Sequence, residues 1–157
     1  MKKMFVFVVS LFIGTSVSAQ DFNSRLIVKL SEIMGVTAPT KIEIEIVSQK
    51  KLLNSYRDML WNQCLDGHPE RFNYCSQNVD TRGTFVHGVW IKEKDPNHLH
   101  IQIHQNSNAV DVVIHEFCHW YLGRLSPLLN NHVTLEALAK EILVSQPLLD
   151  WLEREQK

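Results

Sequence analysis

His115-Glu116-Phe117-Cys118-His119 is an H-E-x-x-H sequence set inside an apolar segment with helical periodicity. An α-helix rises about 1.5 Å per residue and turns about 100°, so histidines four apart share one face, about 6 Å apart along the axis. Both can turn a ring nitrogen toward a single Zn²⁺. Glu116 lies beside them, placed to take a proton from a metal-bound water without being a ligand itself. The plain alternative is a helix that carries two histidines for no chemical reason. The flanks count against it: Val110, Val113, Ile114, Phe117 and Tyr121 form a buried helical stripe. Asn106 or Ser107 is placed to cap its start and Gly123 to end it.

A catalytic zinc site generally takes three protein ligands and keeps one position open. The metzincin continuation needs glycine at 122 and histidine at 125, where this chain has Leu122 and Leu125. That continuation is excluded. The other common solution is a glutamate on a following helix. Residues 132–144 have the right periodicity, with Leu135, Leu138, Ala139 and Ile142 inward. Gly123, Ser126-Pro127 and Asn130-Asn131 let the chain double back. Glu136, 17 positions after His119, is the expected third ligand, with Glu141 and His132 as alternatives.

The elements that position these groups follow from the rest of the chain. Residues 1–19 read as a secretory signal peptide: Lys2 and Lys3, an apolar run from Met4 to Ile13, then Val17-Ser18-Ala19. The apolar run is short for an uncleaved anchor. A mature chain from Gln20 keeps 138 of the 157 residues, enough for one domain, 20–157, with its own core. It would be secreted or periplasmic. Losing Lys2 and Lys3 moves the formal charge from −1 to −3. With no basic block, nucleic-acid binding and stable membrane association after signal cleavage are disfavoured.

Three cysteines remain, and export implies an oxidising compartment. Cys64 and Cys75 flank the turn-rich Asp66-Gly67-His68-Pro69, so a disulfide closing that loop is expected. A free pair, or a small metal site using His68, is the alternative. Cys118 reads as a small packing residue rather than a nucleophile.

Residues 22–34 give an amphipathic helix with Leu26, Ile27, Leu30, Ile33 and Met34 inward, ending at Gly35. Residues 40–47 alternate as a half-buried strand, Ile42, Ile44 and Ile46 against Lys41, Glu43 and Glu45. Ser48 caps a helix carrying Leu52, Leu53, Tyr56, Met59 and Leu60 inward. Two further strands, 84–91 and 98–104, are joined as a hairpin by Lys94-Asp95-Pro96-Asn97. Leu99, Ile101 and Ile103 face the core, which leaves His98, His100, Gln102 and His104 on the expected solvent side.

His115-Glu116-x-x-His119 followed by Leu135-Glu136-Ala137-Leu138-Ala139 resembles a compact zinc metallopeptidase of the gluzincin type. The stretch Glu136 to Leu143, with Pro147 after it, is also similar to ImmA/IrrE-type peptidases. The resemblance covers roughly residues 84–147, and the zinc motif is its specific part. It implies a small zincin-like α+β domain, a mixed and mostly antiparallel sheet packed on the H-E-x-x-H helix and a following glutamate-bearing helix. By that similarity residues 84–91 form the edge strand, with Phe85-Val86-His87-Gly88 along the substrate cleft. Thermolysin-like gluzincins place an aspartate four residues after the ligand glutamate, to orient a zinc histidine. Lys140 stands there in this chain, so that orienting partner is unassigned.

The expected activity is zinc-dependent hydrolysis of a peptide or protein substrate, with Glu116 as general base. Tyr121, His132, His104 and His87 are chemically suited to stabilise the oxyanion. A zinc-stabilised binding module would share the ligands without needing Glu116. A metal-free interaction domain would need none of them.

Overall fold

The computed structural model describes residues 16–81, 84–126 and 128–155, with side chains from residue 21 onward. Lys2, Lys3 and the apolar run of the expected signal peptide lie outside them. Among the described residues the fold is α+β, six α-helices around a three-stranded mixed sheet. In chain order these are α1 (Ser16–Ile33), β1 (Lys41–Val47), α2 (Gln49–Leu65), α3 (Phe72–Asn78), β2 (Gly88–Ile91), β3 (His98–His104), α4 (Ala109–Leu125), α5 (His132–Leu143) and α6 (Gln146–Glu155). No helix among the described residues is long and apolar enough to cross a membrane.

The strand order is β1-β3-β2. β1 pairs with β3 in parallel, Ile44 opposite Ile101, and β2 pairs with β3 antiparallel, Trp90 opposite Ile101. The hairpin expected from Asp95-Pro96-Asn97 is present, and the longer of the two pairings is the parallel one. β2 begins at Gly88 rather than 84, so the edge strand is shorter than its sequence pattern indicated.

The helices divide unequally between the sheet's two faces. Leu99, Ile101 and Ile103 pack with Leu26, Ile27 and Leu30 of α1, Phe117 and Trp120 of α4, Leu135 of α5 and Leu148 of α6. Complete burial of each such side chain contributes about 1.5–3 kcal/mol, which makes this the main core. On the opposite face Val47, Leu52, Val86 and Val89 form a smaller core beneath α2, with Tyr56 and Met59 packed on it. Ser48 caps α2 as expected, its hydroxyl accepting from Lys51 N at 3.4 Å.

This second core corrects one expectation. The face carrying His98, His100, Gln102 and His104 is not an open solvent side. Gln102 and His104 are buried, and His98 and His100 are nearly so. α2 covers one end of that face, and Glu43 and Glu45 of β1 lie across the other. Ile46, expected inward, is exposed because the helical layer does not reach it.

Two covalent or polar ties complete the frame. The expected Cys64–Cys75 disulfide joins the end of α2 to α3, with Trp61 edge-on to Phe72 at 5.3 Å beside it. Helix α6 docks on α1. Trp151 lies 5.5 Å from Phe22, and Glu155 pairs with Arg25 at 2.7 Å.

Candidate metal centre

The site rests on α4, and α4 is held by burial on most of its circumference. Val110, Val112, Val113, Ile114, Phe117, Cys118, Trp120 and Leu122 are all buried. A helix this enclosed turns few side chains outward, and His115 and His119 are among the half-buried ones that face the cleft. Its cap is Asn108, whose side chain accepts from Val110 N at 3.2 Å, rather than Asn106 or Ser107. Gly123 does not end the helix, which continues to Leu125. Its lack of a side chain admits Trp90 instead: a Cβ there would stand 3.1 Å from the indole Cη2.

Between α4 and α5 the chain turns at Ser126, and Asn131 caps α5 by accepting from Thr134 N at 3.0 Å. α5 then packs back on α4 through Leu135, Ala139 and Ile142. This cap makes His132 the first residue of α5 and brings it to the histidines of α4. Ring centroids are 5.1 Å apart for His115 and His119, 6.0 Å for His115 and His132, and 5.6 Å for His119 and His132. One nitrogen from each ring lies within 4.8 Å of one from each of the others. Three nitrogens bound to one tetrahedral zinc at about 2.0–2.1 Å stand about 3.4 Å apart, so modest side-chain rotation closes the group.

Glu136, the expected third ligand, is not part of that group. It is exposed on α5, four residues beyond His132 and so about 6 Å further along the helix. Glu141 is exposed one turn beyond that. Sequence spacing alone left His132 as an alternative, and the start of α5 is what gives it the position next to α4.

Asn130 has a role that the sequence pattern, read there only as a turn, did not disclose. Its Oδ1 lies 2.7 Å from Nδ1 of His119. With the Nδ1 proton donated to that oxygen, Nε2 of His119 is left as a lone pair for a metal. With a metal bound, Asn130 would fill the orienting role that Lys140, four residues after Glu136, cannot.

Glu116 is buried at the floor of the site, where Oε2 accepts from the backbone N–H of Trp90 at 2.7 Å. Gly88, two residues earlier on β2, makes room for it: a Cβ at 88 would overlap Val112 Cγ1 and stand 3.2 Å from Glu116 Oε1. Burial pushes the Glu116 carboxyl up to about 8, against the opposing pull of the Trp90 N–H. Burial likewise pulls His115 down to about 4, with His119 and His132 adding repulsion between like charges. His119 is lowered chiefly by burial, partly offset by Asn130. The two imidazoles are therefore neutral near pH 7, the form that ligates a metal.

These groups lie in a cleft of about 1360 Å³. It is lined by the stretch 84–92, which includes edge strand β2, and by α2 through Tyr56, Asp58, Met59, Asn62 and Gln63. Of the side chains suited to an oxyanion, His87 and His132 line the cleft. His104 is buried, and Tyr121 packs against the main core. His87 is held by Ser107, Nδ1 to Oγ at 3.0 Å. The free cysteine, Cys118, is fully buried in that core as expected.

No protein-family model, no curated protein and no solved structure matches this chain.

Proposed function

We propose that this protein is a zinc-dependent peptidase, with His115, His119 and His132 holding the metal and Glu116 as the general base. The observation that carries this reading is the convergence of three imidazoles beside a buried carboxyl on the floor of a cleft. The donor set suits the ion. Three imidazoles, one of them already oriented by Asn130, form a three-nitrogen set with the cleft side open. Glu136, one turn further along α5, is the competing third donor.

A zinc ion bound there would polarise a water and the scissile carbonyl, and its charge would favour the ionised form of Glu116. Glu116 takes the water's proton and returns it to the leaving amine. Its hold on Trp90 N–H fixes the carboxyl against β2. An extended peptide adds alongside β2 by backbone pairing, with α2 closing over its other side. His87, projecting into the same cleft, is the side chain available to the developing oxyanion. Export fits this reading: the amino-terminal pattern and the Cys64–Cys75 disulfide both suit an oxidising compartment.

Zinc content of two variants tests the ligand set. His132→Ala is expected to lose zinc from this site and cleavage of a mixed peptide library together, while Glu136→Ala keeps both. The reverse pattern would move the third ligand to Glu136. Retention of zinc and cleavage in both variants, and in His115→Ala, would mean that neither the zinc nor the cleavage resides at this site.

A further inference from the structure

We propose a second metal site, for a divalent transition ion of the zinc or copper class, formed by Glu43, Glu45 and His100 on the α2 side of the sheet. One ligand atom from each lies within 4.8 Å of the others. The parallel register produces this group. Glu43 stands opposite His100 and Glu45 opposite Gln102, so alternate residues of β1 and β3 present two carboxylates and an imidazole on one face. None of the three lines the cleft beside His115 and His119.

The His100 ring is oriented as a metal ligand. Nδ1 lies 2.8 Å from Glu93 Oε1, a carboxylate partner that fixes the ring and leaves Nε2 turned toward Glu45. That Nε2 has no solvent exposure and no hydrogen-bond partner, yet it lies 3.8 Å from Glu45 Oε2. A half-buried ring nitrogen without a hydrogen bond, beside a carboxylate, is where a shared cation would satisfy both groups. His98 repeats the pattern one pleat away. Its Nε2 is also buried without a hydrogen bond, 3.3 Å from Glu43 Oε2, and its ring stacks on His100 at 6.0 Å.

Gln102 supplies an independent sign. It is buried, its Nε2 donates to Glu45 Oε2 at 2.8 Å, and its Oε1 is left without a partner. Gln102 is on the same face and bonded to Glu45, so its unpartnered amide oxygen is a further oxygen donor next to this group. Imidazole with carboxylate and amide oxygens is a set that borderline divalent ions accept.

Lys41 and Lys51 now neutralise the carboxylates, at 3.2 Å from Glu43 and 3.0 Å from Glu45. Both lysines are more than half exposed, and exposed ion pairs of this kind are worth only about 0–1 kcal/mol. They can swing into water when a divalent ion enters.

The test is zinc stoichiometry on the full chain, stripped by chelator, reloaded with zinc and counted by mass spectrometry. The parent should hold two ions and His115→Ala/His119→Ala one. Adding His100→Gln to that variant should leave none. Glu45→Gln, close in size and at a partly exposed position, should remove the same ion in that background, which guards against a folding defect in His100→Gln. Zinc should also raise the unfolding midpoint of His115→Ala/His119→Ala and not of either triple variant. If His115→Ala/His119→Ala holds no zinc, or if both triple variants keep it, the second site is wrong. If the parent holds one ion that His115→Ala/His119→Ala retains and His100→Gln loses, the second site stands and the zinc of the proposed peptidase falls.

Discussion

Nδ1 of His119 and Oδ1 of Asn130 lie 2.7 Å apart, tying the second histidine of the motif to the turn before α5. This contact fixes which ring nitrogen faces the cleft. Asn130→Ala should lower zinc affinity at the cleft site by about 10–100-fold, the usual cost of removing such an orienting partner. Asn130→Asp keeps an acceptor and should retain most of the affinity. Competition against a chromophoric chelator, in a background lacking His100, measures both.

Gly88 and Glu116 make a second linked pair. A methyl group at 88 would overlap Val112 and press on Glu116 Oε1. Gly88→Ala should therefore destabilise by about 1–3 kcal/mol, as overpacking commonly does. Peptide cleavage should fall further than stability alone explains, because the base is displaced. Urea unfolding read alongside cleavage separates the two effects. Unchanged cleavage by a folded Gly88→Ala protein would mean that Glu116 is not held by this contact.

Cys118, between the motif's histidines in sequence, points away from them into the core. Burial, with weaker repulsion from Glu116, pushes its thiol up to about 12, so no thiolate forms near neutral pH. It should resist iodoacetamide in the native protein and react once unfolded, whereas Cys64 and Cys75 react only after reduction. Intact-mass measurement before and after denaturation reads each state. Rapid native labelling of Cys118 would contradict its place in the core.

The parts of the fold legible in the sequence were those set by local rules. Ser48 capped α2, the Asp95-Pro96-Asn97 turn made the hairpin, and Leu26, Ile27 and Leu30 marked the buried face of α1. Tertiary placement was less legible. Period-two alternation cannot say whether the polar face of β3 meets water or α2, so the burial of Gln102 and His104 was not foreseen. Helix α6 is a short amphipathic segment of ten residues, and its place in the fold is set by docking on Phe22 and Arg25. At the site, the helical spacing of His115 and His119 was readable because it is local. The approach of His132 and Asn130 depends on how the turn at 126–131 folds, and residue type alone does not fix that.

Glu116→Gln is the most direct test of zinc-dependent peptide hydrolysis by this chain. The amide keeps the size of the side chain and leaves His115, His119 and His132 intact, so zinc content should match the parent. Only proton transfer is removed, and the cleavage rate on a peptide library should fall by about 10²–10⁴-fold. Full zinc with cleavage equal to the parent would contradict the central claim, since no other buried carboxyl lies among the described residues lining the cleft.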